Sequence, residues 1–448
     1  MDALQKRKLY GAITGHALID LYTPILPIML PALISSMGLS YFLAGLIVTV
    51  FNVVSSVTQP FVGLYSDRHD WRPSTALCVF IGSVGVCLVA LTGSYPAIIC
   101  LVIGAAIGHS LFHPTAMNIV YRICPPHKLG LYNSIFTTSG SISYALGPLI
   151  AGVLISFCGL PSVIWLLIPG IIGSAWLYRN ERLSAAAEAK EAAEAAEAES
   201  KAKANAKAMA DANANNKAKT NDAKTNGEPK APQKKTAGVK HIKKTGYRWL
   251  PAGLVVTICS LRAWGYTSMV TYLPTLLILG NGGFTTLETS VIVTVMLLCG
   301  VVGQIAGGVL SDRYGRKEML VLGLIGALPF FCAIFFFTGI LMYIGIFTYA
   351  FFASFCYVTS VTMTQELLPG SVSFASGLTL GFSMGLGGMG AALTGYLADM
   401  MGSLTDAMFL TVIPIAACPI IALFVRYDGN VEKEQEDAPE EVQENIGA

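Results

Sequence analysis

Five ionisable side chains sit deep inside apolar runs of this chain: His16, Asp20, His109, His113 and Arg262. Burying such groups in an apolar medium is costly, so each is a functional candidate by default. His16 and Asp20 lie one helical turn apart, and so do His109 and His113. A carboxylate held there can bind and release a proton, because burial favours the neutral acid and a nearby cation favours the anion. Asp20 is therefore the candidate proton-coupling group; a permanent Asp20–Arg262 ion pair is the competing reading. The Arg262 guanidinium offers a planar fork to a carboxylate, phosphate or phosphonate, and His113, with His16 and His109, can add donors. These four are candidates for binding an anionic or polar small molecule, against the plainer reading of each His as a packing group. The His109/His113 spacing suits a metal ion, but no third ligand is evident nearby, so no metal and no cofactor are expected. Asn52 and Tyr266, with Gln59, Tyr22, Trp264 and Tyr357, are further polar lining candidates, although each also fits an ordinary cavity or interfacial position. No nucleophile–base pair is visible, which argues against an enzyme.

The elements that must carry these groups are apolar helices. Of 448 residues, 54% are hydrophobic and 12% charged, with mean hydropathy +0.60. A soluble protein is about a quarter charged, and here the charges concentrate in residues 1–8, 181–246 and 428–448. What remains has too few charges to cover a soluble surface, so hydrocarbon is its expected solvent. That excludes a cytosolic enzyme, a secreted domain and a nucleic-acid binder; the net charge of +2 adds little. Runs of about 20 residues, enough to cross a bilayer as helices, fall at 9–36, 40–65, 74–93, 95–121, 130–157 and 161–180. Six more fall at 247–279, 286–310, 318–338, 341–365, 371–400 and 404–426. The expected organisation is an all-α membrane protein: a six-helix half (1–180), a low-complexity linker (181–246), a second six-helix half (247–427) and an acidic tail (428–448). The ten cysteines lie in or beside apolar runs with no CxxC, and read as small buried hydrophobes rather than disulfides.

Basic residues orient the runs. Connections after odd-numbered runs hold no Lys or Arg, whereas those after even-numbered runs carry Arg68, Arg72, Arg122, Lys128, the linker lysines, Arg313, Arg316 and Lys317. By the positive-inside rule both termini and the linker face the cytoplasm, and a multi-pass plasma-membrane location is expected. The first part of the linker suits a solvated helix with Glu and Lys about one turn apart. Its Asn-rich remainder has no apolar face to bury and is expected to be unstructured, a tether rather than a lipid-binding element. The halves also repeat each other. GLYSDRHDWR (63–72) matches GVLSDRYGRK (308–317), and GPLIAG (147–152) matches GAALTG (390–395) at nearly the same spacing. Such a duplication is the build of many secondary transporters. Gly377, Gly381, Gly385, Gly388 and Gly395 mark a surface for close helix packing or for sliding.

The G-x-x-x-D-R-x-G-R-K pattern and its looser copy resemble the signature loop of the major facilitator superfamily. Ser134, Ser143, Gly147, Pro148, Ala151 and Gly152 resemble the small-residue motif of its antiporters, with Ser or Ala where Gly is usual. GHALID (15–20), FHP (112–114), SIF (134–136), QELLPG (365–370) and SGLTLGFSMGLGGMGAA (376–392) are similar to runs of the fosmidomycin-resistance group of efflux transporters. Thr115 departs from that pattern, in which an acidic residue follows FHP. The resemblance implies twelve transmembrane helices in two pseudo-symmetric halves, with helices one, four, seven and ten lining a central cavity. The five ionisable groups fall on the first, fourth and seventh. It also implies gating loops, in which Gly63 and Gly308 allow a close helix contact and Asp67 and Asp312 latch onto a helix N-terminus in the opposite half. Arg68, Arg313, Arg316 and Glu366 would complete that charge network. The implied function is a secondary active transporter, a proton-coupled antiporter exporting a drug-like or phosphonate-like small molecule by alternating access. A proton symporter importing an organic anion or sugar, and more distantly a non-transporting membrane sensor, stay open. The expected partners are the small molecule, protons and the lipid bilayer, with the chain a monomer.

Overall fold

The structure, a computed structural model, describes residues 1–69, 71–125, 129–217, 248–280, 283–368, 374–375 and 377–427, and within them all side chains except those of 66–68, 129–130, 204–217 and 380. In hydrocarbon every backbone amide must be paired internally, and the described elements are helices, with no strand among the described residues. The first half holds α1 (Ala3–Tyr22), α2 (Ile25–Met37), α3 (Tyr41–His69), α4 (Thr75–Val89), α5 (Tyr95–Ile123) and α6 (Leu129–Cys158). A 3₁₀ stretch (Leu160–Leu166) then leads into α7 (Leu167–Lys217). The second half holds α8 (Trp249–Leu279), α9 (Thr286–Tyr314), α10 (Arg316–Phe336) and α11 (Ile340–Leu367). A π-helical turn (Gly377–Phe382) precedes α12 (Ser383–Met401), and α13 (Leu404–Leu410) and α14 (Val412–Phe424) complete it.

Among the described residues, nine helical stretches are long and apolar enough to cross a membrane. They include Ala3–Met37, in which α1 and α2 form one span broken at Pro24, a residue with no amide hydrogen to give. Of the remaining expected spans, Thr75–Val89 is apolar but short, α8 carries Arg262, and Gly377–Met401 is rich in glycine. The expected single run 404–426 divides at Thr411, whose hydroxyl donates to the Met408 carbonyl at 2.7 Å.

Residues Met1–Arg179 and Tyr247–Ala448 form one unit, because α3 packs along α12 and α6 along α9. At the end of the bundle opposite the N-terminus, Asp399 of α12 accepts from the Tyr41 and Phe42 amides at 2.8 and 2.9 Å, so one half caps the first turn of a helix in the other. Beside it the Tyr272 hydroxyl donates to the Tyr41 carbonyl at 2.9 Å. That hydroxyl occupies the space a Cβ would need at both Gly45 and Gly395, so neither position tolerates a side chain. Further along, Thr49 donates to the Gly388 carbonyl at 2.6 Å. In this conformation the glycines of α12 therefore serve close packing.

Residues Asn180–Gly246 form a separate unit. Its described part is helical, with i,i+4 pairs Lys190–Glu194, Glu197–Lys201 and Glu199–Lys203 at 3.7, 2.6 and 2.6 Å. The helix runs to Lys217, into the Asn-rich segment expected to be unstructured. Alanine, which recurs through it, is the strongest helix former and needs no packing partner to be helical. Linker residues 218–247 and the acidic tail lie outside the described residues.

Candidate functional site

Asp20 stands at the centre of a cluster drawn from three helices. From α1 itself, His16 Nε2 lies 3.1 Å from Oδ2 of the carboxylate. From α5, His109 and His113 each bring Nε2 to 3.3 Å from Oδ1, and the two Nε2 atoms are 3.0 Å apart. The His16 ring stacks on Phe136 of α6, centroids 4.1 Å apart, and its Nδ1 lies 2.7 Å from the Phe136 carbonyl oxygen. The Asp20 side chain is only 14% exposed. One turn beyond Phe136, α6 crosses the pair at Gly140, where a Cβ would lie 2.5 Å from Asp20 Oδ2. One turn further stands Tyr144, which interacts electrostatically with Asp20 on one side and Tyr266 on the other. Phe136, Gly140 and Tyr144 thus form the face of α6 turned to α1. None of the three was singled out for this role from the sequence. Their four-residue spacing was the available signal.

Arg262 occupies a second site. It is 7% exposed, donates from Nη1 to the Ala353 carbonyl at 3.0 Å, and lies 5.2 Å from the Tyr357 ring. Its Nε is buried without a hydrogen-bond partner, and no carboxylate pairs with the guanidinium among the described residues. Tyr266 stands near Arg262, and its hydroxyl and that of Ser354 both face Gly300. The permanent Asp20–Arg262 ion pair is therefore not formed. α1 turns Asp20 toward α5 and α6, and α8 turns Arg262 toward α11.

The other expected residues separate into distinct roles. Both ring nitrogens of His16 are engaged within the cluster, so in this conformation it has none left for a substrate. Asn52 packs its Cβ against Gly388, at the seam between α3 and α12. Tyr22 donates to the Leu166 carbonyl at 2.8 Å and Trp264 to Thr394 Oγ1 at 3.0 Å, so both are tied into packing rather than free to line a cavity.

At the terminal end of the bundle, Arg316 donates to Asp312 at 2.6 Å and to Glu366 at 2.8 Å, and Tyr427 donates to Glu366. Burial and that hydrogen bond push the Tyr427 hydroxyl above its ordinary range. Arg313 lies 5.4 Å from the Tyr314 ring. Asp312, 67% exposed, makes this bond within its own half, not the expected latch to a helix of the opposite half. The side chains of Asp67 and Arg68 lie outside the described residues. Gly63 and Gly308 both have room for a methyl group; the close approaches on α9 fall at Gly303 and Gly307, against the backbone of α11.

His16, Asp20 and His113 also form the group, among the described residues, whose ligand atoms are near enough for a metal ion, all within 4.8 Å. In the sequence no further candidate stood near His109 and His113; the fold brings His16 and Asp20 beside them.

Packed helical halves holding an acid, three imidazoles and a buried guanidinium in the interior have the build of a membrane transporter. The family model of the Major Facilitator Superfamily matches residues 13–389 and 277–445, and the chain belongs to that superfamily. It is 26% identical to the fosmidomycin resistance protein of Escherichia coli (strain K12) over 398 residues, 87% of this chain and 86% of that one. It is also 26% identical to an uncharacterised transporter of the superfamily, YfnC of Bacillus subtilis (strain 168), over 91% of this chain and 89% of that one. Among solved structures it resembles a bacterial homologue of the human lysosomal transporter Spinster in an inward-facing, unoccupied conformation. The TM-score is 0.70 and the identity 15%, with 96% of this chain and all of that one covered.

Proposed function

We propose that this transporter exports a small organic anion from the cytoplasm in exchange for protons, from the cell membrane and with both termini cytoplasmic. The observation that carries the reading is Arg262, a buried guanidinium with an unpartnered Nε and, among the described residues, no carboxylate paired with it. An uncompensated charge inside a membrane protein is expensive, and an arriving carboxylate or phosphonate-like group would offset it with a paired, charge-assisted contact. Asp20 is the proton site. The name of the Escherichia coli relative supports export, and a drug-like or phosphonate-like cargo class.

Flux into and out of proteoliposomes under an imposed pH gradient, screened over phosphonates, carboxylates and cationic dyes, tests direction, ion and cargo charge together. Anion efflux driven uphill by protons entering from the opposite side is expected. Dye transport or anion uptake would overturn the reading. Arg262→Ala is expected to weaken anion affinity by tenfold or more, on the order of 1.5–3 kcal/mol for a lost charge-assisted bond, and Arg262→Lys to restore part of it. Unchanged affinity in both would remove the clamp.

A further inference from the structure

His16 cannot be a bystander in the Asp20 cluster, because its two contacts are not both favourable without an extra proton. Its Nδ1 lies 2.7 Å from the Phe136 carbonyl oxygen. A carbonyl only accepts, so Nδ1 carries a hydrogen. In a neutral imidazole of that tautomer, Nε2 is a bare lone pair. Yet Nε2 lies 3.1 Å from Asp20 Oδ2, which in an ionised carboxylate is also an acceptor. Two acceptors at that distance repel. The approach is favourable only when the pair carries a proton, as an imidazolium beside a carboxylate or a carboxylic acid beside Nε2. Both descriptions contain the same protons, and both leave the pair with no net charge.

We propose that His16 and Asp20 hold one proton jointly, as a single unit, and that losing it expels the carboxylate from His16. This deepens the proton-site reading of Asp20 and rests on it. Asp20 is the carrier, and His16 the positioning residue that ties its proton to its geometry.

The surroundings say where the carboxylate goes. On the α6 side, Gly140 closes against the pair with backbone alone, so it cannot move that way. On the α5 side, Oδ1 already faces His109 and His113 at 3.3 Å, and Oδ1 is buried without a well-directed hydrogen bond. Tyr144 of α6 is the other titratable group near the carboxylate. The packed face of α4 carries no charged residue, and Arg262 makes no ion pair with Asp20. Proton loss therefore exchanges a partner on α1 for partners on α5. The change of charge becomes a change in the contact between two helices, which is what an exchanger needs at its ion site.

The test is nitrogen-15 magnetic resonance of the full chain, labelled at histidine and held in lipid nanodiscs, with His16 assigned by its loss in His16→Gln. The expected wild-type spectrum shows His16 protonated at Nδ1, with a shared proton at Nε2 that is lost in one step as pH rises. In Asp20→Asn the side-chain amide supplies a permanent hydrogen to Nε2, so His16 is expected to read as neutral Nδ1–H at every pH and to lose its pH-dependent shift. A wild-type His16 with bare Nδ1 and hydrogen on Nε2 overturns the proposal, whether or not the variant folds. An unaltered His16 titration in Asp20→Asn overturns it too. Either result leaves Asp20 as a lone proton carrier, whereas flux indifferent to the proton gradient removes the coupling reading and leaves the tautomer result standing.

Discussion

A single hydrogen at position 140 decides whether His16 and Asp20 can stand as they do. With a methyl group there, the side chain would overlap both His16 Nε2 and Asp20 Oδ2, and neither neighbour is the loose end of a flexible chain. Gly140→Ala is expected to destabilise the protein by about 1–3 kcal/mol, the usual cost of overpacking, and to abolish proton-driven flux. Gly104→Ala, at a glycine with open space around it, is expected to leave both unchanged. Thermal unfolding in nanodiscs, together with flux, checks the pair. At this scale Asp20, the histidines and Arg262 were legible in the sequence, because an ionisable group in an apolar run needs a reason to be there. Their partners were not. A backbone carbonyl such as that of Phe136 has no signature in the residue alphabet, and Tyr144 reads as one more aromatic in a membrane helix.

Helix termini carry the next level of organisation. The first turn of α3 has amides that its own helix cannot satisfy, and Asp399, far along the chain, supplies the acceptor. The negative side chain also meets the positive end of the helix dipole. Asp399→Ala is expected to cost this conformation about 1 kcal/mol, as for a lost N-cap. The readout is the distance between spin labels in the 37–40 and 401–403 connections, which should shift toward longer separations; an unmoved distribution would show that Asp399 does not hold this end closed. The sequence reading found the small residues of α12 but not what they admit. Whether a glycine serves packing or sliding depends on the neighbour, here the Tyr272 hydroxyl lodged between Gly45 and Gly395.

For the whole molecule, the seam from Tyr41–Asp399 to Thr49–Gly388 joins the halves at the end away from the termini. The Asp312–Arg316–Glu366 network lies within one half at the other end. If the halves alternate about a central site, the seam must open in each cycle. A short bifunctional cross-link between cysteines placed at Phe42 and Asp399 is expected to stop turnover; continued flux in the linked protein would refute that motion. The membrane-spanning character and the superfamily were legible in sequence alone. They follow from where apolar and charged residues fall along the chain, and hydrocarbon punishes every departure from that pattern. Which charges meet was decided only by the tertiary structure. Each helix has one rotation about its axis, fixed by packing against neighbours distant in sequence. That rotation turned Asp20 to the imidazoles of α5 and left Arg262 facing α11, with no acid at its side among the described residues.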